Sequence, residues 1–208
     1  MMYVKLWQND TFQAIEYTET LQKAFDKISS EEENLVVVRR DGTLYNLITF
    51  NDITTTFSSY GLDTKLIEIL DPTDSFLFDT DLLEDALVLM LENRARVLPV
   101  VNNEMRPVGI FGLFEVLKAF KTISAIDETG TRALIKINDV PGELGKLLSI
   151  FANRKINLLS LMTAKISDEK RMISLKLGIK NIDLISDILD EENIEYEGIY
   201  EENGDKDR

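Results

Sequence analysis

Apolar residues recur at helical spacing at Leu21, Ala24, Phe25 and Ile28, and again at Leu83, Ala86, Leu87 and Met90, which predicts two amphipathic helices. A short extended segment precedes each one, at residues 12–17 and 76–78. Thr18 and Thr80 stand where an N-cap hydroxyl would accept an orphan backbone N–H. Two short apolar strands follow each helix. In the first unit they are joined through Arg40-Asp41-Gly42-Thr43, where Asp-Gly is expected to supply the positive φ angles of a tight hairpin. A second helix then opens at Asn51-Asp52 or at Phe114-Glu115. The chain therefore repeats itself: Leu21-Gln22-Lys23-Ala24-Phe25 matches Leu83-Glu84-Asp85-Ala86-Leu87 at an offset of 62 residues, and Leu35-Val36-Val37-Val38 matches Leu98-Pro99-Val100-Val101 at 63. The segments beginning at Asn46 and Gly109 match at 63 again.

Beyond Phe120 a polar, small-residue stretch over 121–130 breaks both periodicities and reads as a linker. Alternation over 132–137 predicts a strand. Asn138-Asp139-Val140-Pro141-Gly142-Glu143 turns it into a helix with Leu144, Leu147, Leu148 and Phe151 on one face. Strands over 156–166 and 172–179, a helix over 182–192 and a strand over 195–200 complete a βαββαβ plan, as in ferredoxin-like domains. The expected fold is thus α/β (α+β). Two strand-helix-strand-strand-helix units at 1–62 and 63–123 precede a βαββαβ domain at 131–200, and a charged, disordered tail occupies 201–208.

Charge and composition narrow the chemistry. The 208 residues carry 23 Lys plus Arg against 37 Asp plus Glu, a net charge of −14, and both parts are acidic: 11 basic against 20 acidic residues over 1–123, 12 against 17 over 124–208. Neither part has the clustered cations of a nucleic-acid binder. With no His and no Cys, thiol nucleophiles, Ser-His-Asp triads and zinc fingers are excluded. No apolar run reaches the roughly 18 residues of a membrane span and no signal-peptide pattern opens the sequence, so a cytoplasmic location is expected.

The Leu-Pro-Val-Val strand at 98–101 and the Thr49-Phe50-Asn51-Asp52 turn into a helix, set inside a duplicated unit, resemble the paired CBS domains; the resemblance covers roughly residues 1–123. It implies that Thr49 and Asp52 contact an adenosine nucleotide or S-adenosylmethionine. The chemistry agrees. A hydroxyl beside unpaired N–H groups suits a phosphate, a carboxylate suits two ribose hydroxyls, and Phe12, Ile15, Val37 and Leu47 are expected to line an adenine slot. The same pair fits a plain helix cap with a dipole-compensating acid. In the second unit Gly112 replaces the Thr and Glu115 the Asp, so an asymmetric pair is expected, with the first site better kept. Asn46 stands where Gly109 stands in the second unit. Arg94 and Arg96 are candidate phosphate clamps or solvated helix-end cations.

Asp139-Val140-Pro141-Gly142-Glu143-Leu144, with Asn157 downstream, resembles the ACT domain. That likeness implies amino-acid binding by Asn138, Asp139, Val140, Pro141, Gly142, Leu144 and Asn157, or a turn that only starts the helix, with sheet edges pairing into a homodimer. The order of modules is similar to that of acetoin-utilisation-type regulatory proteins. The expected function is a non-catalytic sensor, with no catalytic residue, no metal site and no required cofactor. Its ligand would be AMP, ATP, S-adenosylmethionine, NAD or cyclic di-AMP, and its partner a regulated enzyme or transporter, with no nucleic acid and no membrane involved. A ligand-free dimerising adaptor and a metal-dependent nucleotide hydrolase are the alternatives.

Overall fold

The computed structural model describes residues 2–28 and 33–204, and the chain divides into two compact units, Met1–Lys118 and Ala119–Arg208. The first unit holds two copies of one motif. In the first copy β1 (Gln13–Glu16) runs parallel to β2 (Asn34–Val38) across the crossover helix α1 (Leu21–Lys27), and β2 pairs antiparallel with β3 (Leu44–Thr49). In the second, β4 (Leu77–Phe78), α2 (Leu83–Glu92), β5 (Val97–Val101) and β6 (Pro107–Gly112) repeat the arrangement. The middle strands read as continuous apolar runs because both their faces are covered. Registers repeat at the same offset, with Leu35 opposite Ile48 and Leu98 opposite Phe111.

The two copies are interleaved across the expected boundary at residue 62, within one compact unit. A 3₁₀ turn, Val4–Leu6, packs on the second copy: Val4 N–H donates to Asp81 O, Lys5 N–H to Asp79 O, and Asn9 and Ile110 exchange two backbone bonds of 2.9 Å. Its counterpart, Leu66–Glu68, packs on the first copy, where Leu66 and Leu70 join the core around Leu21, Leu35 and Ile48. Each copy is therefore completed by the segment that precedes the other in sequence.

Local chemistry explains several departures from the sequence pattern. The cap of α1 is Thr20, which accepts from Lys23 N–H at 3.4 Å, whereas the Thr18 hydroxyl donates to the Glu16 carboxylate. At α2 the Leu82 N–H donates to Asp85 at 3.3 Å, so Thr80 is not the cap. In the hairpins only Gly42 (φ 82°) and its counterpart Met105 (φ 59°) have positive φ, so each turn uses one left-handed position rather than the pair expected at Asp41-Gly42. After β3 the chain makes only a short π-helical turn, Asp52–Thr56, whose β-branched threonines bond back to the backbone: Thr54 Oγ1 to Phe50 O at 3.0 Å and Thr55 Oγ1 to Asn51 O at 2.6 Å. The second copy continues instead into the eleven-residue α3 (Leu113–Ile123). No helix among the described residues is long and apolar enough to cross a membrane.

The second unit is β7 (Gly130–Asn138), α4 (Glu143–Asn153), β8 (Leu158–Lys165), β9 (Lys170–Leu177), α5 (Ile182–Glu191) and β10 (Tyr196–Glu202), with antiparallel sheet order β10-β7-β9-β8. That is the ferredoxin-like plan. Ala133, Ile135, Ile173 and Leu175 on the sheet bury Leu147, Phe151, Ile185 and Leu189 on the helices. On the other face Lys176, with no exposed surface, donates to Ala125 O and to Glu202, both at 2.7 Å, while Arg132 holds Glu202 at 2.6 and 3.1 Å and Ser124 O at 2.8 Å. Ser124 and Ala125, expected within a linker, are thus pinned to the sheet. Glu201 and Glu202 belong to β10 rather than to a disordered tail; residues 205–208 lie outside those described.

Burial pushes the Glu202 carboxyl up, but hydrogen bonds from Arg132 and Lys176 outweigh it and hold the group below its ordinary value. A carboxyl depressed in the folded state adds stability above its unfolded pKa of about 4.3 and loses it as pH falls through the folded value. Urea unfolding of the protein, followed by hydrogen exchange of β7 and β9 amides, should therefore show this unit weakening below about pH 4. Glu202→Ala should cost about 3 kcal/mol at neutral pH and remove that acid dependence, while Lys176→Met should cost less, because a buried charge stripped of its partner is worse than an apolar replacement.

Candidate functional site

In both copies of the first unit the last strand runs straight into a helical turn, and one carboxylate fixes the junction. Asp52 Oδ2 accepts from Thr49 N–H at 2.7 Å and from Thr49 Oγ1 at 2.8 Å, and Thr49 Oγ1 accepts from Asp52 N–H at 3.2 Å. Glu115 Oε2 accepts from Gly112 N–H at 3.0 Å. The neighbouring strands complete the match: Phe50 N–H donates to Glu33 O at 2.8 Å and Leu113 N–H to Arg96 O at 3.1 Å. Gly112 belongs to this geometry. A Cβ there would stand 3.2 Å from Arg96 O and 3.4 Å from Glu115 Oε2, so the longer acid occupies the room that a threonine side chain would need.

These junctions face one cleft of about 880 Å³, lined among others by Glu33, Leu47, Thr49, Asp52, Arg94, Arg96 and Glu115. Thr49, Asp52, Arg96 and Glu115, four of the six residues expected to bind a nucleotide, are brought together here. The other two are not: Ile15 (4% exposed) and Val37 (0%) belong to the core of the first copy, because β1 and β2 turn these side chains toward α1. Leu47 is the residue of the expected adenine slot that lines the cleft. Asn46 takes no part, since its amide donates to Asp71 O at 2.8 Å. Gly109 is held to glycine for a related reason: a Cβ there would lie 2.9 Å from Asn9 O.

The lining has a definite chemistry. Asp52 Oδ1 makes no hydrogen bond among the described residues, which leaves an acceptor beside the Thr49 hydroxyl. Arg94 and Arg96 are exposed and have no side-chain partner among the described residues. Glu115 is buried, with one oxygen on Gly112 N–H and the other 3.7 Å from Lys118. Sequence reading overlooked Glu33, although the offset of 63 residues that relates Leu35 to Leu98 places it opposite Arg96.

Of the seven residues expected to hold an amino acid in the second unit, Asn138 and Asn157 line two separate grooves and the other five line neither. Gly142 opens α4 at φ 93°, and Val140 is 54% exposed at the tip of the loop. Asp139 is engaged by Arg171 at 2.8 Å, and Leu144 packs against the core. Asn138 lines a groove of about 480 Å³ with Lys136, Lys146 and Lys170, while Asn157 lines a separate groove of about 610 Å³ with Arg154 and Asp187. Pro141 lines neither.

Residues 69–122 match the CBS domain family, and the first unit has the CBS-pair fold, followed by a ferredoxin-like sheet. Among solved structures the chain is similar to a CBS domain pair/ACT domain protein from Thermotoga maritima, at 27% identity and a TM-score of 0.50 over 57% of this chain and 96% of that one. It also shares its fold with an uncharacterized conserved protein from Pyrococcus horikoshii (21%, TM-score 0.51, 58% and 92%). A third similar structure is CBSX2, a CBS-pair protein of Arabidopsis thaliana, in complex with AMP (20%, TM-score 0.50, 58% and 96%).

Thr49→Ala removes one side of the reciprocal cap and should cost about 1 kcal/mol in urea unfolding. Gly112→Thr should be destabilising beside Glu115. Adding Glu115→Asp should recover most of that loss, since the shorter acid restores the pairing seen at Thr49 and Asp52.

Proposed function

We propose that the chain is a non-catalytic regulatory protein whose first unit senses an adenosine-containing ligand. The observation that carries this reading is the convergence, in one cleft, of a hydroxyl, a carboxylate and two exposed arginines, with one carboxylate oxygen and both guanidinium groups lacking a partner among the described residues. Ribose hydroxyls donate to a carboxylate, and arginine forks match phosphate oxygens. AMP, ATP, S-adenosylmethionine, NAD and cyclic di-AMP all carry the adenosyl group. The AMP complex of a protein with the same fold supports the class of ligand.

The second unit, in this reading, is an ACT-type domain. The βαββαβ order and the Val-Pro-Gly turn support that assignment. Asn138 and Asn157 line separate grooves within one chain, which favours pairing with a second copy through an open sheet edge, β8 or β10, over amino-acid binding by a single copy. The assembly is then a cytoplasmic homodimer of acetoin-utilisation type, acting on an enzyme or transporter. Ligand would act by differential affinity for two arrangements of the assembly.

Thermal unfolding with and without each of the five ligands tests the sensor reading. A ligand at 100 times its dissociation constant should stabilise by about 2.7 kcal/mol. Asp52→Ala, compared with its own ligand-free baseline, should reduce the shift given by at least one of the adenosine-bearing probes. A shift with none of the five would favour an adaptor, and steady release of phosphate from ATP would favour a hydrolase.

A further inference from the structure

The offset that superimposes the two copies in sequence also exposes a reversal of charge. Glu33 and Arg96 hold equivalent positions. Each is the residue just before an inner strand, the carbonyl of each accepts from the first helical N–H of its own copy, at 2.8 and 3.1 Å, and each lines the cleft. One is an anion and the other a cation. Arg94 adds a second cation beside Arg96, and its sequence counterpart, Glu31, which lies outside the described residues, has the opposite charge.

The acids at the helix starts deepen the difference. On the first copy's side one Asp52 oxygen has no hydrogen bond among the described residues, and Glu33 lines the same cleft, so that lobe gathers negative charge around hydroxyl acceptors. On the second copy's side Glu115 is buried, bonded to Gly112 N–H and 3.7 Å from Lys118, so it is partly compensated, while both arginines are exposed to the cleft. Arginine forks bind phosphate oxygens in pairs, and a carboxylate at the equivalent place repels them. In a chain of net charge −14, the arginine lobe is also where an incoming anion finds relief from the overall field.

We propose, resting on the nucleotide reading above, that the cleft is two lobes of opposite preference: Arg94 and Arg96 seat the phosphate of a nucleotide, and the Thr49, Asp52 and Glu33 lobe takes an uncharged or cationic adenosyl group. This reverses the ranking that the sequence suggests for phosphate, because Thr49 offers a hydroxyl but Glu33 stands in the same lobe. Asp52 serves ribose hydroxyls in that lobe, as its sequence position suggests. The protein would hold one AMP rather than two, and would accept adenosine or S-adenosylmethionine in the other lobe at the same time.

Calorimetric titration of the full chain tests this with AMP, adenosine and S-adenosylmethionine as separate probes. Wild-type protein should bind one AMP, with an affinity that falls as salt is raised, and adenosine with little salt dependence. Arg96→Glu should weaken AMP at least tenfold and change adenosine less than twofold, and Arg96→Lys should restore most of the loss. Glu33→Arg should raise the AMP stoichiometry from one to two. Both positions are exposed, and far-UV circular dichroism checks that each variant is folded. If AMP binds wild-type protein but Arg96→Glu leaves its affinity unchanged, or Glu33→Arg leaves its stoichiometry at one, the division into lobes is overturned while the nucleotide reading stands. If no adenosine-bearing probe binds wild-type protein, the nucleotide reading falls and this proposal with it.

Discussion

Both copies of the first unit depend on one interaction: a carboxylate three residues into a turn reaches back to the backbone N–H of the residue that ends the strand. The bond from Thr49 N–H to Asp52 is 2.7 Å and that from Gly112 N–H to Glu115 is 3.0 Å. A strand that ends and a helix that begins both leave N–H groups without partners. A side-chain acid satisfies one of them and sets the angle between the two elements. The cleft is the space between the two junctions so fixed. Cap and site are therefore one structure: Asp52 closes the turn through one oxygen and also lines the cleft.

The differences between the copies follow from what each junction must accommodate. Glutamate is one methylene longer than aspartate, and its oxygen lies 3.4 Å from where a Cβ on residue 112 would be, which fits glycine at that position. Asn46 and Gly109 differ for a similar reason. The segment around Asp71 offers a carbonyl to the Asn46 amide, whereas Asn9 and Gln8 press against the backbone at Gly109. A duplicated sequence has in this way become an asymmetric cleft without losing the register of either sheet.

Much of the fold was legible because its signals are local. The helical spacing of Leu21, Ala24 and Ile28, the apolar runs of β2 and β5, and the Pro-Gly turn into α4 each declare an element without reference to the rest of the chain. Long-range features were not legible. Nothing near Val4 or Leu66 says that each completes the opposite copy, since both read simply as apolar residues in short segments. The buried Lys176 and the place of Glu202 at the end of β10 are similar: a charged run in sequence looks like solvated chain until Arg132 is found across the sheet. At the site, Thr49, Asp52, Arg96 and Glu115 could be found from motif and repeat. Ile15 and Val37 were misplaced because strand alternation does not say which face meets the crossover helix and which meets a ligand.

The central claim is that the cleft between the two copies is where an adenosine-bearing ligand sits. Photolabelling the full chain with azido-AMP, followed by peptide mapping and competition with unlabelled AMP, measures this most directly. The account predicts competed labels on peptides containing residues 33–52 or 94–115. Competed labelling confined to residues 131–200, with the cleft peptides unmarked, would contradict it.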